Sequence, residues 1–273
     1  MKVAVVGHVE WTEFVQIERV PHQGEIAHAR KTFTEPAGGG AVAAAQLAAL
    51  AGEATLFTAL SADELGQRSR ARLPELGIRL HASTLAEPQR RGFTYLDDAG
   101  ERTITVIGER LGPSGEDRSL PWDELADADA VYFVSGDAAA LLAARQARAL
   151  VATARSLQIL REVGVQVDAL VGSAGDPGER YVEGDLDPAP RFVVRTEGAA
   201  GGVIEPGGVR WAPAPLPGRV ADAYGCGDCF AAGIAYGLGA GLGIESAVAL
   251  GARCGATVLT GHGPYGVLLS AAE

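Results

Sequence analysis

The chain has 273 residues, of which 37 are glycine, and its 34 acidic against 23 basic groups give a formal net charge of -11. A composition of 47% hydrophobic and 21% charged residues is that of an ordinary globular protein, not of a disordered or fibrous one. The length suits the core of one large α/β domain. The acidic balance argues against nucleic acid and anionic membranes as partners, because both require a basic surface.

Lysine is scarce, since Lys2 and Lys31 are the only two and every other basic residue is arginine. Neither lies in the Gly-Lys-Ser/Thr context of a P-loop, and neither suits Schiff-base chemistry. Any phosphate or carboxylate would therefore be bound by arginine, metal or backbone N–H groups. Three cysteines are too few for a disulfide framework, and no leader or apolar run of about 18 residues occurs, so we expect a cytoplasmic protein.

Short apolar runs ended by glycine or proline alternate with helical patterns in the first half of the chain. The predicted strands lie at 3–6, 14–17, 26–33 and 55–60. The predicted helices run from just after the glycines at 38–40 to residue 51, and from a cap at Ser61 through Leu65, Leu73 and Leu76 to Gly77. Residues 92–96 and 102–107 predict a hairpin, since the Asp-Asp-Ala-Gly between them suits a turn.

The second half continues this alternation up to a loop and then ends in helices. Helices are predicted at 138–148 and 156–163, and strands at 130–134, 149–152, 167–171, 192–196, 201–204 and 209–212. Residues 172–190 predict a loop, and 225–259 predict two helices broken near 239–243. The pattern is typical of a mostly parallel sheet with helices on both faces. We therefore expect one α/β domain over 1–273, with a small additional sheet, a lid or an interface, from about 10–35 and 91–108.

The most specific local feature is the run Asp-Ala-Tyr-Gly-Cys-Gly-Asp at 222–228, which precedes an apolar helix. A Gly-x-Gly turn at a helix start directs several backbone N–H groups outward at the positive end of the helix dipole, which makes an anion site without lysine. Asp228 would repel a phosphate, but it is placed to accept a proton from a hydroxyl that attacks one. The bland alternative is that Asp228 only favours the helix N-terminus and the glycines only serve packing.

Residues 222–233 resemble the C-terminal signature of the ribokinase-like (PfkB) carbohydrate kinases, Asp-Thr-x-Gly-Ala-Gly-Asp-x-Phe-x-x-Gly. The matching residues are Asp222, Gly225, Gly227, Asp228, Phe230 and Gly233. Weaker matches follow the family's order over most of the chain: Val5-Val6-Gly7, Pro21-x-x-Gly24-Glu25, Gly38-Gly39, Asp63-x-x-Gly66, Leu76-Gly77-Ile78 and Thr196-x-Gly-x-x-Gly201. The resemblance implies a ribokinase-like fold with a small β lid. It also implies ATP- and Mg²⁺-dependent phosphorylation of a hydroxyl on a sugar or sugar-like small molecule.

The resemblance further implies roles for individual residues. Asp228 would take the proton from the attacking hydroxyl, and the N–H groups of Gly225, Cys226 and Gly227 would form an anion hole for the transferred phosphoryl group. The residues expected at ATP are Thr196, Gly198, Gly201, Ala252 and Gly255. Those expected at the acceptor are Gly38, Gly39, Glu10, Thr12 and His8, the last because it follows the first strand at the edge where open α/β sheets bind ligands. In some relatives the lid strands clasp a second copy, which makes a homodimer a candidate assembly.

Several positions depart from the family's pattern. Thr12 stands where the sugar kinases have an Asp that binds the sugar hydroxyls, Ala43 stands where they have an Asn, and Ala223 stands where they have a Thr. The family's Asn-x-x-Glu motif appears as Ser173-x-x-Asp176, and a loop at 177–190 replaces the helix that follows it. Asp176 is accordingly the predicted Mg²⁺ residue, acting through water. The departures leave the acceptor open between a neutral sugar, a sugar acid and a nucleoside, and they weaken any monovalent-cation site.

Two other classes stay open beside the kinase. The departures also fit a kinase-derived ligand-binding or regulatory protein with little activity. Cys226 and Cys229 form a C-x-x-C at a helix start, where thiolates are stabilised, and could act as a redox switch. The kinase turn explains the same residues with fewer assumptions, and no second cysteine pair completes a zinc site. The neighbouring pair Arg90 and Arg91 could neutralise an anionic substrate or simply be solvated surface.

Overall fold

The computed structural model describes residues 1–271, which form two β-sheets. The strands of the larger sheet, numbered in chain order, are β1 (Val3–Val6), β4 (Ala54–Ser61), β5 (Ile78–Leu85), β8 (Ala130–Phe133), β9 (Ala149–Thr153), β10 (Ala169–Ser173), β11 (Phe192–Thr196), β12 (Gly202–Glu205) and β13 (Val209–Trp211). Their order is β13-β12-β11-β10-β9-β8-β1-β4-β5. All neighbours from β11 to β5 are parallel, and β12 and β13 add an antiparallel edge.

Helices cover both faces of this sheet. Over residues 1–271 they are α1 (Gly39–Ala51), α2 (Glu64–Arg72), α3 (Ala138–Ala144), α4 (Leu157–Val163), α5 (Cys226–Gly239) and α6 (Ile244–Val258). Because side chains alternate along a strand, Val5 of β1 packs in one core with Phe230 of α5, while Val6 packs in the other with Leu141 of α3 and Leu160 of α4. The predicted mostly parallel sheet with helices on both faces is confirmed.

The second sheet, named here the lid sheet, consists of β2 (Glu10–Gln16), β3 (Lys31–Ala37), β6 (Arg91–Leu96) and β7 (Arg102–Ile107). These strands fall in the two segments that predict a small sheet, and their order is β3-β2-β6-β7. Buried Phe14 stacks on Phe33 at 4.8 Å between ring centroids and meets Tyr224 edge-on at 4.8 Å. The lid sheet is thereby packed against the segment that leads into α5, whereas all six residues of β7 are exposed.

Several predicted boundaries are wrong, among them that of β2, which begins at Glu10 and not at residue 14. Three others have local reasons. The strand predicted at 26–33 begins only at Lys31, because its partner β2 ends at Gln16, which pairs with Lys31. Asp63, not Ser61, caps α2 by accepting the Gly66 N–H at 2.9 Å, since the main chain of Ser61 still belongs to β4. The helix predicted at 138–148 ends at Ala144, where the chain tightens into turns before β9.

The loop predicted at 172–190 begins only after Ser173, where β10 ends, and from there it is irregular as predicted, apart from one short 3₁₀ turn at Pro177–Glu179. It follows β10 at the carboxyl end of the parallel strands, where open α/β sheets form ligand sites. Among residues 1–271, no helix has the length and apolar character needed to cross a membrane.

Candidate active site

The start of α5 is open to a ligand. Gly225 precedes the helix in the left-handed conformation, with φ +80°, and no side chain caps the helix N-terminus. The first N–H groups of a helix have no acceptor within it and lie at the positive end of its dipole. A Cβ atom on Gly227 would meet no atom within 4 Å. This turn can therefore receive an anion against its backbone N–H groups.

Asp228 lies at this turn, next to the glycines that start α1. A Cβ atom on Gly39 would lie 2.9 Å from Asp228 Oδ1, so the carboxylate packs directly against the main chain there. Burial raises the pKa of Asp228 to about 6, and the charge of Glu179 adds to this, while Arg102 and Arg155 oppose it. A carboxylate with a pKa near the working pH is suited to accept a proton.

The segment before α5 is held by partners far away in the sequence. Asp222 is fully buried and accepts the N–H groups of Tyr224 at 2.9 Å and of Gly263 at 2.7 Å. Burial raises the pKa of Asp222, and these two hydrogen bonds counteract part of that rise. Arg102 of the lid sheet donates from Nη1 to the Ala223 carbonyl at 2.9 Å. The anion-binding turn is thus fixed both by the body of the protein and by the lid sheet.

A buried polar cluster stands on the lid side of the glycines. Arg90 Nε lies 2.9 Å from Glu10 Oε1, and His8 Nε2 lies 3.4 Å from the same oxygen. Burial alone would raise the pKa of Glu10, but the His8 hydrogen bond and the Arg90 charge outweigh it and lower that pKa. Burial lowers the pKa of His8, whose Nδ1 lies 3.1 Å from Ser135 Oγ. Near neutral pH this cluster thus holds an ionised Glu10 and a neutral imidazole.

Gly38 connects this cluster to Asp228 through its neighbour Gly39. A Cβ atom on Gly38 would lie 3.1 Å from Glu10 Cγ and 3.3 Å from His8 Cδ2. The structure thus brings together four of the five residues predicted at the acceptor and sets them beside Asp228. The fifth, Thr12, is fully buried in β2, and a Cβ atom on Gly92 of the neighbouring strand β6 would lie 2.7 Å from its Oγ1.

Three of the residues predicted at ATP lie at the end of β11 and in the short turn that follows it. Thr196 ends β11, and Gly198 follows in a short turn where a Cβ atom would meet nothing within 4 Å. Gly201 is closely packed, since a Cβ atom there would lie 2.1 Å from the Trp211 carbonyl oxygen. Gly201 therefore determines the shape of this turn and does not leave room for a ligand.

Helix α6 brings the other two predicted ATP residues to the start of α5. A Cβ atom on Gly255 would lie 3.2 Å from the Cys226 carbonyl oxygen, and Ala252 lies one helical turn earlier. A cavity of about 430 Å³ opens beside this part of α6. Its lining residues are Pro215, Pro217, Arg253, Thr257, Thr260, Val267 and Leu269.

Two carboxylates approach the site from the loop after β10. Glu179 Oε1 lies 2.8 Å from Arg155 Nε, and its Oε2 accepts the Ser173 N–H at 2.7 Å. Asp176 forms an ion pair with the same arginine and accepts the Gly178 N–H at 2.8 Å. The family spacing points to Asp176 and passes over Glu179, whose charge reaches Asp228. The sequence distinguishes Glu179 only as a second acidic residue in the same loop as Asp176.

The cysteines of α5 are poorly suited to redox chemistry. Burial raises the pKa of Cys226, and it raises that of fully buried Cys229 further. Cys254 of α6 is also buried with a raised pKa of about 12. Since the thiolate is the reactive form, this environment disfavours a thiol switch.

The two glycines of the turn provide a matched pair of substitutions. Gly225→Ala should lower the free energy of unfolding by about 2–4 kcal/mol, because Ala is strained in the left-handed region and its Cβ would lie 2.8 Å from Val42 Cγ1. Gly227→Ala should raise it by up to about 1 kcal/mol, since Gly227 is helical and a Cβ there meets no protein atom. Urea denaturation measures both changes, and equal effects would contradict the geometry of the turn.

A family model and two curated relatives match this chain. The sequence model of the pfkB family carbohydrate kinases matches residues 1–172 and 167–270. The ATP-dependent ribose-1-phosphate kinase of Halopiger xanaduensis is 29% identical over 142 residues, which cover 50% of this chain and 46% of that protein. The fructoselysine 6-kinase of Escherichia coli is 37% identical over 73 residues, covering 27% of this chain and 28% of that protein. The matches thus span less than half the length of these curated relatives.

Solved structures match over nearly the whole chain. Ribokinase from Thermotoga maritima has a TM-score of 0.79 at 18% identity and covers 100% of this chain and 97% of its own. Arabidopsis thaliana ribokinase, complexed with ribose and ATP, has a TM-score of 0.73 at 20% identity, with coverages of 98% and 95%. The nucleoside kinase of Methanocaldococcus jannaschii has a TM-score of 0.73 at 16% identity, with coverages of 100% and 96%. The predicted ribokinase-like fold is confirmed.

Proposed function

The chain belongs to the pfkB family of carbohydrate kinases, and we propose that it transfers the γ-phosphoryl group of ATP to a hydroxyl of a sugar or sugar-like small molecule. The observation that carries the proposal is the position of Asp228. This carboxylate, with a pKa of about 6, lies between an uncapped helix N-terminus and glycines that leave the main chain open. A base and an anion-binding turn at one point are the two protein groups that transfer to a hydroxyl requires.

In the proposed mechanism the acceptor hydroxyl lies against Gly39 and gives its proton to Asp228 as its oxygen attacks the γ-phosphorus of ATP. The bond from that phosphorus to the oxygen that bridges it to the β-phosphate breaks as the new bond forms, and ADP leaves. The N–H groups of Gly225, Cys226 and Gly227 donate to the phosphoryl oxygens, whose charge they stabilise without lysine. Thr196 and Gly198 face the remaining phosphates. Gly255 and Ala252 of α6 border the nucleoside. The proton that leaves the hydroxyl stays on Asp228 until the products depart.

Mg²⁺ fits the acidic loop after β10. Across residues 1–271 no cluster of three His, Cys, Asp or Glu side chains could hold a metal alone. This ion, however, keeps several waters and is usually bound through one or two carboxylates together with substrate phosphates. Glu179 and Asp176, both paired with Arg155, provide such carboxylates. Bound with ATP, Mg²⁺ would neutralise charge on the phosphates.

Glu179→Gln should raise the Mg²⁺ concentration for half-maximal rate by about tenfold, as loss of an outer-sphere ligand commonly does. Asp176→Asn should raise it less, because the charge of Glu179 reaches the reacting centre. Initial rates over a Mg²⁺ titration at saturating ATP measure both changes. Glu183→Gln, an exposed acid of the same loop, is the matched control. A larger effect of Asp176→Asn would assign the role to the residue that the family spacing predicts.

A screen of ADP release tests the activity itself. The panel to assay with MgATP contains neutral sugars, sugar phosphates, sugar acids and nucleosides. The curated relatives are named for a sugar phosphate and a sugar amine adduct, and the structural neighbours include a nucleoside kinase. Calorimetric titration of the same panel separates the second candidate. Binding of MgATP and a sugar without ADP release would favour a kinase-derived regulatory protein. The departures from the family's pattern at Thr12, Ala43 and Ala223 also fit such a protein.

The cellular setting and assembly follow from the same proposal. A reaction that consumes ATP suits the cytoplasm. A homodimer through the lid strands is supported by β7, an edge strand that exposes Ile104, Val106 and Ile107. Exposed apolar side chains on an unpaired strand edge are a common means of association between sheets.

A further inference from the structure

The tip of the lid hairpin, which consists of β6, β7 and the turn between them, lies on the main chain that leads into the anion-binding turn. A Cβ atom on Gly100 of this tip would lie 2.9 Å from Val220 Cγ1. Two residues later, Arg102 Nη1 donates to the Ala223 carbonyl at 2.9 Å. The hairpin thus contacts the segment before α5 at two places, apart from the aromatic contact that the lid sheet makes through Phe14.

Arg102 donates to a carbonyl that the main chain leaves open. Ala223 lies outside the helices and strands, and across residues 1–271 no backbone N–H donates to its carbonyl oxygen. Its methyl side chain cannot form a hydrogen bond, whereas the buried side chain of its neighbour Asp222 accepts two backbone N–H groups. The guanidinium therefore supplies the polar contact that fixes this peptide, two residues before the anion hole begins at Gly225.

The hairpin tip that carries Arg102 is braced by its own hydrogen bonds. Asp97 Oδ1 accepts two main-chain N–H groups of the turn at 3.0 Å each. Arg30 donates from Nη1 to the two carboxylate oxygens of Asp98 at 2.6 and 2.8 Å, which ties the tip to the start of β3. Although the side chain of Arg102 is exposed, it is therefore presented to Ala223 from a fixed turn.

The charge of Arg102 acts in the same direction as its hydrogen bond. Burial raises the pKa of Asp228, and Arg102 is the foremost of the charges that oppose this rise. The ionised form of Asp228, which accepts the proton, is thereby favoured. The other groups that act on Asp228 or are acted on by its charge are Glu179, Arg155, Glu10 and the neutral side chains of Tyr132, Tyr224 and Cys226.

We infer that Arg102 is a positioning residue for the proposed phosphoryl transfer, because it holds from the lid sheet the peptide that leads into the anion-binding turn. This inference rests on the proposed function and extends the machinery of that site to the lid hairpin. Arg102 acts through the main chain at Ala223 and not through contact with a substrate. It thus serves the half of the site that binds the phosphoryl group, whereas Glu10 and Arg90 serve the acceptor side.

The kinetic test compares Arg102→Met with the wild-type chain. The variant should lower kcat by about tenfold at pH 8 and leave the KM for MgATP within threefold, because a displaced anion hole affects the transition state most. The loss should be larger at pH 6, since without this charge Asp228 keeps its proton to a higher pH. Arg102→Lys should restore most of the rate and the pH profile, because it keeps a donor and the charge.

Two measurements on the free protein do not depend on turnover. Amide hydrogen exchange should be about tenfold faster in Arg102→Met at Tyr224 and Cys229, whose N–H groups donate at 2.9 Å to Asp222 and to the Gly225 carbonyl. A carbon-13 NMR titration of the Asp228 carboxyl group, assigned with the Asp228→Asn variant, should give a higher pKa in Arg102→Met than in the wild-type chain.

The matched control is Arg118→Met, an exposed arginine of the connecting segment that follows the lid sheet. It should leave kcat, the pH profile, the exchange rates and the titration unchanged, and thermal melting checks the folding of every variant. An unchanged rate in Arg102→Met overturns the inference. So does a loss that is equal at pH 6 and pH 8 and that lysine does not restore.

The outcome is separable from that of the proposed function. Rapid ADP release by the wild-type chain that is unaffected by Arg102→Met at either pH would support the kinase and overturn the positioning role. Faster exchange and a raised pKa of Asp228 in Arg102→Met, in a chain that releases no ADP with any acceptor of the screen, would support the hold of Arg102 on the turn and contradict the kinase.

Discussion

Asp228→Asn should lower kcat by about 10²–10⁴-fold and at the same time stabilise the folded protein at neutral pH. The rate falls because an amide cannot take the proton of the attacking hydroxyl, and general-base catalysis contributes about this factor. Binding of MgATP should be nearly unchanged, since the anion-hole N–H groups belong to the main chain. ADP-release kinetics and calorimetry with MgATP measure the two quantities. Retained turnover would remove Asp228 as the base.

The gain in stability follows from the sign of the pKa shift. The pKa of Asp228 is about 6 in the folded chain, above its ordinary value of 3.8, so the folded state binds this proton more tightly than the unfolded state. Ionisation therefore destabilises the fold progressively from about pH 4 to about pH 6, and fully above that. At pH 7 the asparagine variant should be more stable by about 1–3 kcal/mol, and below pH 4 the difference should disappear.

Urea denaturation at pH 4, 5, 6 and 7 measures this dependence. Asp123→Asn, at an exposed aspartate away from the site, is the control and should show no such trend. The rate of the wild-type enzyme should fall below about pH 6 as a single group, Asp228, becomes protonated and can no longer accept the hydroxyl proton. A stability difference that does not change with pH would show that Asp228 is not buried in the manner described.

Gly39→Ala should lower kcat by about 10²-fold or more. Its Cβ would lie 2.9 Å from both Asp228 Oδ1 and Val134 Cγ1, so either the carboxylate or the strand end must shift. A displacement of about 1 Å at a catalytic group commonly costs a factor of this size, and overpacking should cost about 1–3 kcal/mol of stability. Kinetics with MgATP and the acceptor from the screen, together with thermal melting, measure the two effects.

The control for this substitution is Gly243→Ala, since a Cβ atom there meets nothing within 4 Å and Gly243 is remote in sequence from the site glycines. It should leave both kcat and stability nearly unchanged. A Gly39→Ala variant with full activity would show that the main chain at this point does not define the position of Asp228.

The turn at 225–228 could be predicted from sequence because its chemistry is local. Two glycines, a helix start and an aspartate follow one another directly, and the fold places them as their spacing indicates. The pairing of Arg90 with Glu10 could not be predicted in this way, since the register of β2 against β6 brings together residues that are far apart in the chain. Long-range pairing leaves no periodic signal at either position.

Glu179 illustrates a second limit. It lies at the end of a single 3₁₀ turn, which is too short for a period to fix the direction of its side chain, and it belongs to no motif with fixed spacing. The predicted cap at Ser61 failed for a related reason, because β4 continues further than its composition indicates and moves the helix start to Asp63. Local propensity identified these elements, while tertiary contacts set their ends.

The division of the molecule into two sheets has an evolutionary consequence. The side chains proposed to face the acceptor include Glu10 and Arg90, which belong to the lid sheet or its ends, whereas Asp228 and the anion-binding turn belong to the body. Under the proposed function, substitutions on the lid strands can therefore alter which molecule is selected and leave α5 in place, provided that they spare Phe14 and Arg102, which contact the segment before this helix. Such an architecture lets substrate preference diverge quickly between lineages while the reaction itself is inherited unchanged.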